Sequence, residues 1–177
     1  MRHKTEYKSP YAAAVWSVVL PGFGQLYNKD YVIGFVLLGF EFLINLNSNL
    51  NIALVHSFNG DFALAHSVVD YRWGMFYPSI YAFSIWQAFN SAKAYNARTL
   101  TNMKKRRTYY TGFFIGLVVG MDFGLFWHDF PYLNHFSVLK ILNIPVFSGL
   151  TFGLLFGILG NYLEKAIYRK KKIEELA

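Results

Sequence analysis

The sequence predicts an all-α integral membrane protein: a helical bundle of four transmembrane helices plus a kinked or re-entrant N-terminal hydrophobic segment, five hydrophobic helices in one polytopic domain, 1–177. Three observations carry this expectation. The chain is 54% hydrophobic, 20% aromatic and only 15% charged, a balance suited to a polypeptide surrounded mostly by lipid. Apolar runs recur at lengths near the roughly 20 helical residues that cross a hydrocarbon core about 30 Å thick. The lysines and arginines, finally, collect in alternate connections between those runs, as the positive-inside rule requires of a chain threaded through a bilayer.

The N-terminus "MRHKTEYKSPYAAAVWSVVL" has a basic start and an apolar stretch, but no A-x-A-like cleavage site follows, so it is expected to be retained. The first apolar run, 11–27, is broken by Pro21, Gly22 and Gly24 and carries a glutamine, Gln25. Proline removes a backbone donor and glycine permits close approaches and unusual dihedrals, so the chain bends where protein rather than lipid must cover it. Gln25 then hydrogen-bonds inside the bundle, and "YNKDY" supplies a polar turn before the next helix. Two threadings stay open. A full crossing puts Arg2, Lys4 and Lys8 outside, with 12 basic residues inside and 5 outside; entry and return gives 15 against 2. The charge count favours the return. The length favours a crossing, since 17 helical residues reach about 26 Å.

The remaining spans are expected at 31–46, 73–92, 109–127 and 144–163. Trp73, Tyr77, Trp127 and Tyr132 lie near one set of ends, and Tyr109, Tyr110, Tyr162 and Tyr168 near the other, as aromatic belts do. The 93–108 loop, with Lys93, Arg98, Lys104, Lys105, Arg106 and Arg107, and the 164–177 tail, with Lys165, Arg169, Lys170, Lys171 and Lys172, are assigned to the cytoplasm, facing anionic lipid headgroups. The loops at 47–72 and 128–143 contain only Arg72 and Lys140 and are assigned outside. In the first of these, Asn59-Gly60-Asp61 reads as a turn with Asp61 placed to cap a helix. One or two short helices are expected there, either as a plain interfacial connection or as a lid.

The stretch 9–38, "SPYAAAVWSVVLPGFGQLYNKDYVIGFVLL", resembles the hairpin of bacterial TM2-domain-like membrane proteins. In those, a first helix ends in a P-G-x-G-Q-x-Y-N turn and a second begins with a glycine a few residues on. The matching positions are Pro21, Gly22, Gly24, Gln25, Tyr27, Asn28 and Gly34. The resemblance covers under a fifth of the chain and implies two full spans joined by a cytoplasmic turn in a bacterial cytoplasmic membrane. The acidic-Arg-aromatic signature of TM2 domains is absent from this turn, so no receptor-like role carries over.

The strongest periodic signal lies in the last two spans. Gly112, Gly116, Gly120 and Gly124 recur every fourth residue, and Gly149, Gly153 and Gly157 repeat the spacing. Residues four apart share a helix face, so each span presents a groove another backbone can enter. The grooves can meet each other, meet a second copy of the chain or line a pore. Two ionisable residues, Glu41 and Asp122, fall within spans at a similar depth below the outer boundary, which makes them candidates for a functional site. Gly34, Leu38, Glu41, Asn45 and Ser48 share one helical stripe, while Tyr77, Ser84, Gln87 and Ser91 form another polar line. Gln25, Glu41, Asn45, Gln87 and Asp122 together are the candidate buried polar site. Two carboxylates sharing such a site hold a proton near neutrality, the requirement for proton-coupled transport. The plainer alternative has Glu41 in a hydrogen-bond network and Asp122 paired with a histidine or Arg72.

The histidines His56, His66, His128 and His135, with Asp61, Asp70 and Asp129, fall in the outer loops at generic spacings, without an H-E-x-x-H or similar ligand pair, so no metal is expected. With no cysteine, thiolate ligands and thiol nucleophiles are excluded. No catalytic or phosphate-binding motif occurs, and no cofactor is expected. The excess of 17 Lys and Arg over 10 Asp and Glu flanks apolar runs and lacks interleaved stacking aromatics, which argues against nucleic acid. The sequence therefore points to a non-enzymatic structural or accessory subunit acting through helix packing, with a homo-oligomer or another membrane protein as partner. The alternative is a proton-coupled or small-solute permease.

Overall fold

The computed structural model describes residues 7–101, 108–126 and 142–174, and every regular element among them is helical. Arg2, Lys4, the basic run Lys104 to Arg107, the aromatics Trp127 and Tyr132, and His128, Asp129, His135 and Lys140 of the loop expected outside all fall beyond the described residues. The chain divides into two compact units, Met1–Leu43 with Ile80–Tyr109, and Ile44–Ser79 with Tyr110–Ala177.

In the first unit α1 is Pro10–Val19. Ser9 caps it, its Oγ accepting from Ala12 N at 3.2 Å, and Pro10 at the first turn has no donor to lose. The helix stops where Leu20 turns extended ahead of Pro21. Gly22 follows with φ +105°, a conformation L side chains rarely adopt, and a Cβ there would also press on Gly34 O and the Leu38 side chain. The chain then forms α2, Phe23–Tyr27, and turns again at Lys29, whose φ of 66° is left-handed. Asp30 N donating to Gln25 O at 2.8 Å closes that turn before α3, Tyr31–Ser48. The first apolar run is thus two helices rather than one bent helix.

The second unit holds the short helices α4 (Leu50–Phe58), α5 (Phe62–Val68) and α6 (Tyr71–Gly74). Asn49, left-handed at φ 58°, separates α4 from α3, and Gly60 at φ 83° makes the turn between α4 and α5. Asp61 stands at the N-cap position of α5, but its side chain makes no capping bond. Asp70 does cap α6, accepting from Arg72 N at 3.0 Å. The excursion is tied back to the end of α3 by Asp70 N to Ser48 O (3.1 Å) and Asn49 Nδ2 to Val68 O (3.3 Å).

The long helices are α7, Phe76–Thr101, which crosses the boundary between units, and α8 (Thr111–Phe126) and α9 (Pro145–Glu174) of the second unit. α8 and α9 pack antiparallel, with Phe123 set against Phe152 (5.1 Å) and Phe156 (5.8 Å). Two of the described helical segments, Tyr31–Ser48 and Pro145–Lys171, are long and apolar enough to cross a membrane. α8 is apolar but spans 16 described residues. α7 is long but polar, because Ser84, Gln87, Asn90, Ser91, Lys93, Asn96 and Arg98 all fall on it.

Burial is distributed in an unusual way. Among the described residues, the largest side chains wholly withdrawn from the surface are Gln25, Pro21, Ser17, Ser48, Ser84 and Ser148. Val32, Phe35, Phe42 and Leu46 of α3, and Ile158, Leu163 and Ile167 of α9, are exposed. Much of the interior is small or polar, with Leu37, Ile44 and Phe89 the large apolar side chains among it, while many large apolar side chains lie on the outside, unlike the pattern of a water-soluble core.

Candidate functional site

The best-defined polar arrangement is built around Gln25 in the first unit. A side-chain amide offers two donor hydrogens and two acceptor lone pairs, and Gln25 uses all four. Its Nε2 donates to Ser84 O (2.8 Å) and to Gln87 Oε1 (2.8 Å). Its Oε1 accepts from Ser84 Oγ (3.1 Å) and Ser17 Oγ (3.4 Å). Ser84 Oγ in turn accepts from Gly22 N at 3.1 Å, satisfying a donor released by the break after α1. From Gln87 the chain continues through Nε2 to Ser91 Oγ (3.4 Å) and Ser91 Oγ to Asp30 Oδ2 (2.9 Å). Ser84, Gln87 and Ser91 are spaced by three and four, one face of α7. One turn along α7 from Ser84, Asn28 Nδ2 donates to Ala88 O at 2.7 Å.

Small residues let these bonds form. Ala13, Ala88 and Ala92 make the buried apolar contact between α1 and α7. A Cβ on Gly24 would overlap Ala13 O and Ser17 Oγ. Two asparagines of α7 then clasp the backbone of passing segments. Asn96 accepts from Lys8 N (3.0 Å) and donates to Lys8 O (2.6 Å); Asn90 accepts from Tyr109 N (2.7 Å) and donates to Tyr109 O (3.1 Å). Lys8 also donates through Nζ to Asn28 O and stacks over Tyr95 at 4.1 Å, while Lys93 lies 3.9 Å over Tyr109.

In the second unit the packing is of another kind. A Cβ on Gly112, Gly116, Gly120 or Gly124 would overlap the carbonyls of Gly160, Phe156, Phe152 and Ser148 respectively. The α8 groove thus receives backbone. The α9 groove at Gly149, Gly153 and Gly157 receives mainly side chains, Leu125, Met121 and Phe113. Glu164 Oε2 accepts from Gly112 N at 2.8 Å, so a carboxylate of α9 caps the start of α8.

Of the predicted polar site, Gln25 and Gln87 are brought together. Glu41 lies half-buried on the first-unit part of α3. Asn45 and Asp122 belong to the second unit, where Asn45 Nδ2 reaches Asn51 Oδ1 at 3.3 Å. Asp122 Oδ1 is buried with no hydrogen-bond partner among the described residues. Arg72, an expected partner of Asp122, instead grips Asp70 at 2.6 Å, which holds the Asp70 carboxyl below and the Arg72 guanidinium above their ordinary values. Beside this pair His66 Nδ1 meets Tyr71 Oη at 2.5 Å, and burial raises the Tyr71 phenol. Among the described residues no three His, Asp or Glu gather as metal ligands.

Sequence reasoning missed Ser17, Asn90, Asn96, Gly160 and Glu164. Ser17 carried a signal, since it is four residues from Ala13 on the small-residue face of α1. Gly160 also carried one, as it extends the glycine-rich run of α9 by three. Asn90, Asn96 and Glu164 stand in polar or charged surroundings that give no hint of their partners.

The chain matches no protein-family model, and neither the curated proteins nor the solved structures contain a significant match. Its function therefore rests on its own geometry.

Proposed function

We propose that this is a multi-pass membrane protein, non-enzymatic, that serves as a structural or accessory subunit through helix packing, with the basic loop and tail in the cytoplasm against anionic headgroups. The exposure of many large apolar side chains is the observation that carries the reading. Exposed Phe35, Phe42, Leu46, Ile158 and Ile167 would each cost about 25 cal/mol per Å² of apolar surface in water, and nothing in a bilayer. Interhelical hydrogen bonds and small-residue contacts, the devices that hold helices together when the solvent is itself apolar, are the ones present here. The fully used amide of Gln25 supports a fixing role rather than a reactive one. The likeness of 9–38 to the TM2-type hairpin agrees with a membrane setting. The partner is a second copy of the chain or another membrane protein, meeting the exposed apolar faces of α3 and α9. Detergent extraction followed by affinity purification tests this: a stoichiometric membrane-protein partner, or self-association beyond the 20.4 kDa monomer, is expected. A chain recovered only as monomer would argue against it.

One observation favours a second reading, a proton-coupled or small-solute permease: the buried Oδ1 of Asp122, unpartnered among the described residues, with Glu41 half-buried on another apolar helix. Proton flux into proteoliposomes that disappears with Glu41→Gln or Asp122→Asn would replace the subunit reading with this one.

A further inference from the structure

We propose that residues 9–28 form a re-entrant hairpin that occupies only the leaflet on the basic side of the membrane, its aliphatic outer face in contact with the acyl chains of that leaflet, so that the N-terminus and the basic 93–108 loop share one side. The inference rests on the membrane reading above and deepens it.

The levels of the contacts carry it. Phe23 sits against Trp16 (6.3 Å between rings), Gly24 against Ala13 and Ser17, Tyr27 Oη accepts from Ser9 N at 3.2 Å, and Asn28 O accepts from Lys8 Nζ. The returning segment thus runs back beside the first helix, and the long side chains of Tyr27 and Lys8 bridge the distance left between its end and the start of the hairpin. Along α7 the same levels run from Ser84, which holds Gly22, through Ala88, which holds Asn28, and Ser91, which holds Asp30, to Asn96, which clasps Lys8. Twelve residues of α7 therefore match the hairpin's height, about 18 Å of a core about 30 Å thick. The neighbouring helices continue past the tip. α7 extends eight residues beyond Ser84, to Phe76, about 12 Å; α3 continues ten beyond Leu38, to Ser48, about 15 Å. A tip held beside Ser84 and Leu38 ends in mid-membrane. Its two faces fit that position: Ala13 and Ser17 turn inward, while Tyr11, Val15, Val18 and Val19 are exposed. The freed backbone at the tip is covered by protein, as non-helical backbone at membrane depth must be, because Ser84 Oγ accepts from Gly22 N.

The chain has no cysteine, so single cysteines report cleanly. Tyr7→Cys, Asn59→Cys and Lys171→Cys, all at exposed positions, are treated in intact and in permeabilised cells with a membrane-impermeant maleimide. The expected result is labelling of Asn59→Cys in intact cells, with Tyr7→Cys and Lys171→Cys at background until permeabilisation. Tyr7→Cys labelled together with Asn59→Cys, with Lys171→Cys still protected, would overturn the re-entrant hairpin and leave the membrane reading standing. All three behaving alike, or the protein appearing in the soluble fraction, would overturn both.

Discussion

The hairpin packed on α7 and the pair α8–α9 solve one problem by opposite means. In the first, polar side chains reach between helices: Gln25, Ser84, Gln87 and Ser91 form a chain of hydrogen bonds, and Asn90 and Asn96 grip backbone. In the second, side chains are removed: four glycines of α8 lie against four carbonyls of α9. Each device draws two helices together without relying on the expulsion of water. They differ in what a mutation does. Adding an atom to a glycine groove meets backbone, which has nowhere to go, whereas trimming an amide leaves partners that can shift or find a neighbour. The glycine region is therefore steep and the amide region tolerant.

The largest effect should come from Gly116→Leu. Its Cβ alone would overlap Phe156 O, so the helices must separate, and a loss beyond the roughly 3 kcal/mol of ordinary overpacking is expected. Thermal unfolding in detergent measures it, with Gly39→Leu on α3, where nothing lies within 4 Å, as a near-neutral control. A well-tolerated Gly116→Leu would break the comparison.

Gln25→Leu should cost less, about 1–2 kcal/mol, because it takes the acceptor from the Ser17 and Ser84 hydroxyls and a donor from Gln87 Oε1, while Ser84 O keeps its place in the α7 ladder and interhelical hydrogen bonds in membranes average only about 0.6 kcal/mol each. A Gln25→Leu, Ser84→Ala double variant should lose less than the sum of the singles, since the two residues share bonds. Strict additivity would mean the chain of bonds does not act as a unit.

Glu164→Ala should cost about 1 kcal/mol, the usual value of a helix cap, and Glu164→Gln less, because an acceptor for Gly112 N remains. Proteolysis rates around residues 108–112 give the readout; equal rates in both variants would remove Glu164 from its capping role.

The smallest effect lies in the excursion of short helices between α3 and α7. Arg72 depresses the Asp70 carboxyl below its ordinary 3.8, so this pair adds stability above that pH and loses it as pH falls through the lower folded value. Arg72 is exposed and Asp70 partly buried, so the change in stability is small and the titration shift is the clearer readout. In Arg72→Ala, NMR should find Asp70 titrating higher; an unchanged titration would contradict the pairing.

The sequence made the helical class legible through composition and run length, and it marked the break after α1 through Pro21 and Gly22. The starts of α3 and α9 also agree with the apolar runs to within a residue, because Asp30 and the Pro145 turn punctuate them. α7 was harder. Its expected stretch, 73–92, begins in what proves to be α6 and ends nine residues early, since Lys93, Asn96 and Arg98 read as loop while the helix continues through them to Thr101. Gln25 and Gln87 were each visible as polar residues in apolar runs, but their meeting depends on the chain returning beside α7, which no local pattern encodes. Glu164 was hidden for a similar reason: in sequence it opens a charged tail, and only the antiparallel pairing of α8 and α9 brings it to Gly112 N.

The whole account depends on lipid being the medium in which both packing devices work. Washing isolated membranes with alkaline carbonate and then with detergent tests this most directly. The chain should remain in the pellet through the carbonate wash and come into solution only with detergent. Its release as a folded, freely soluble species without detergent would contradict the account.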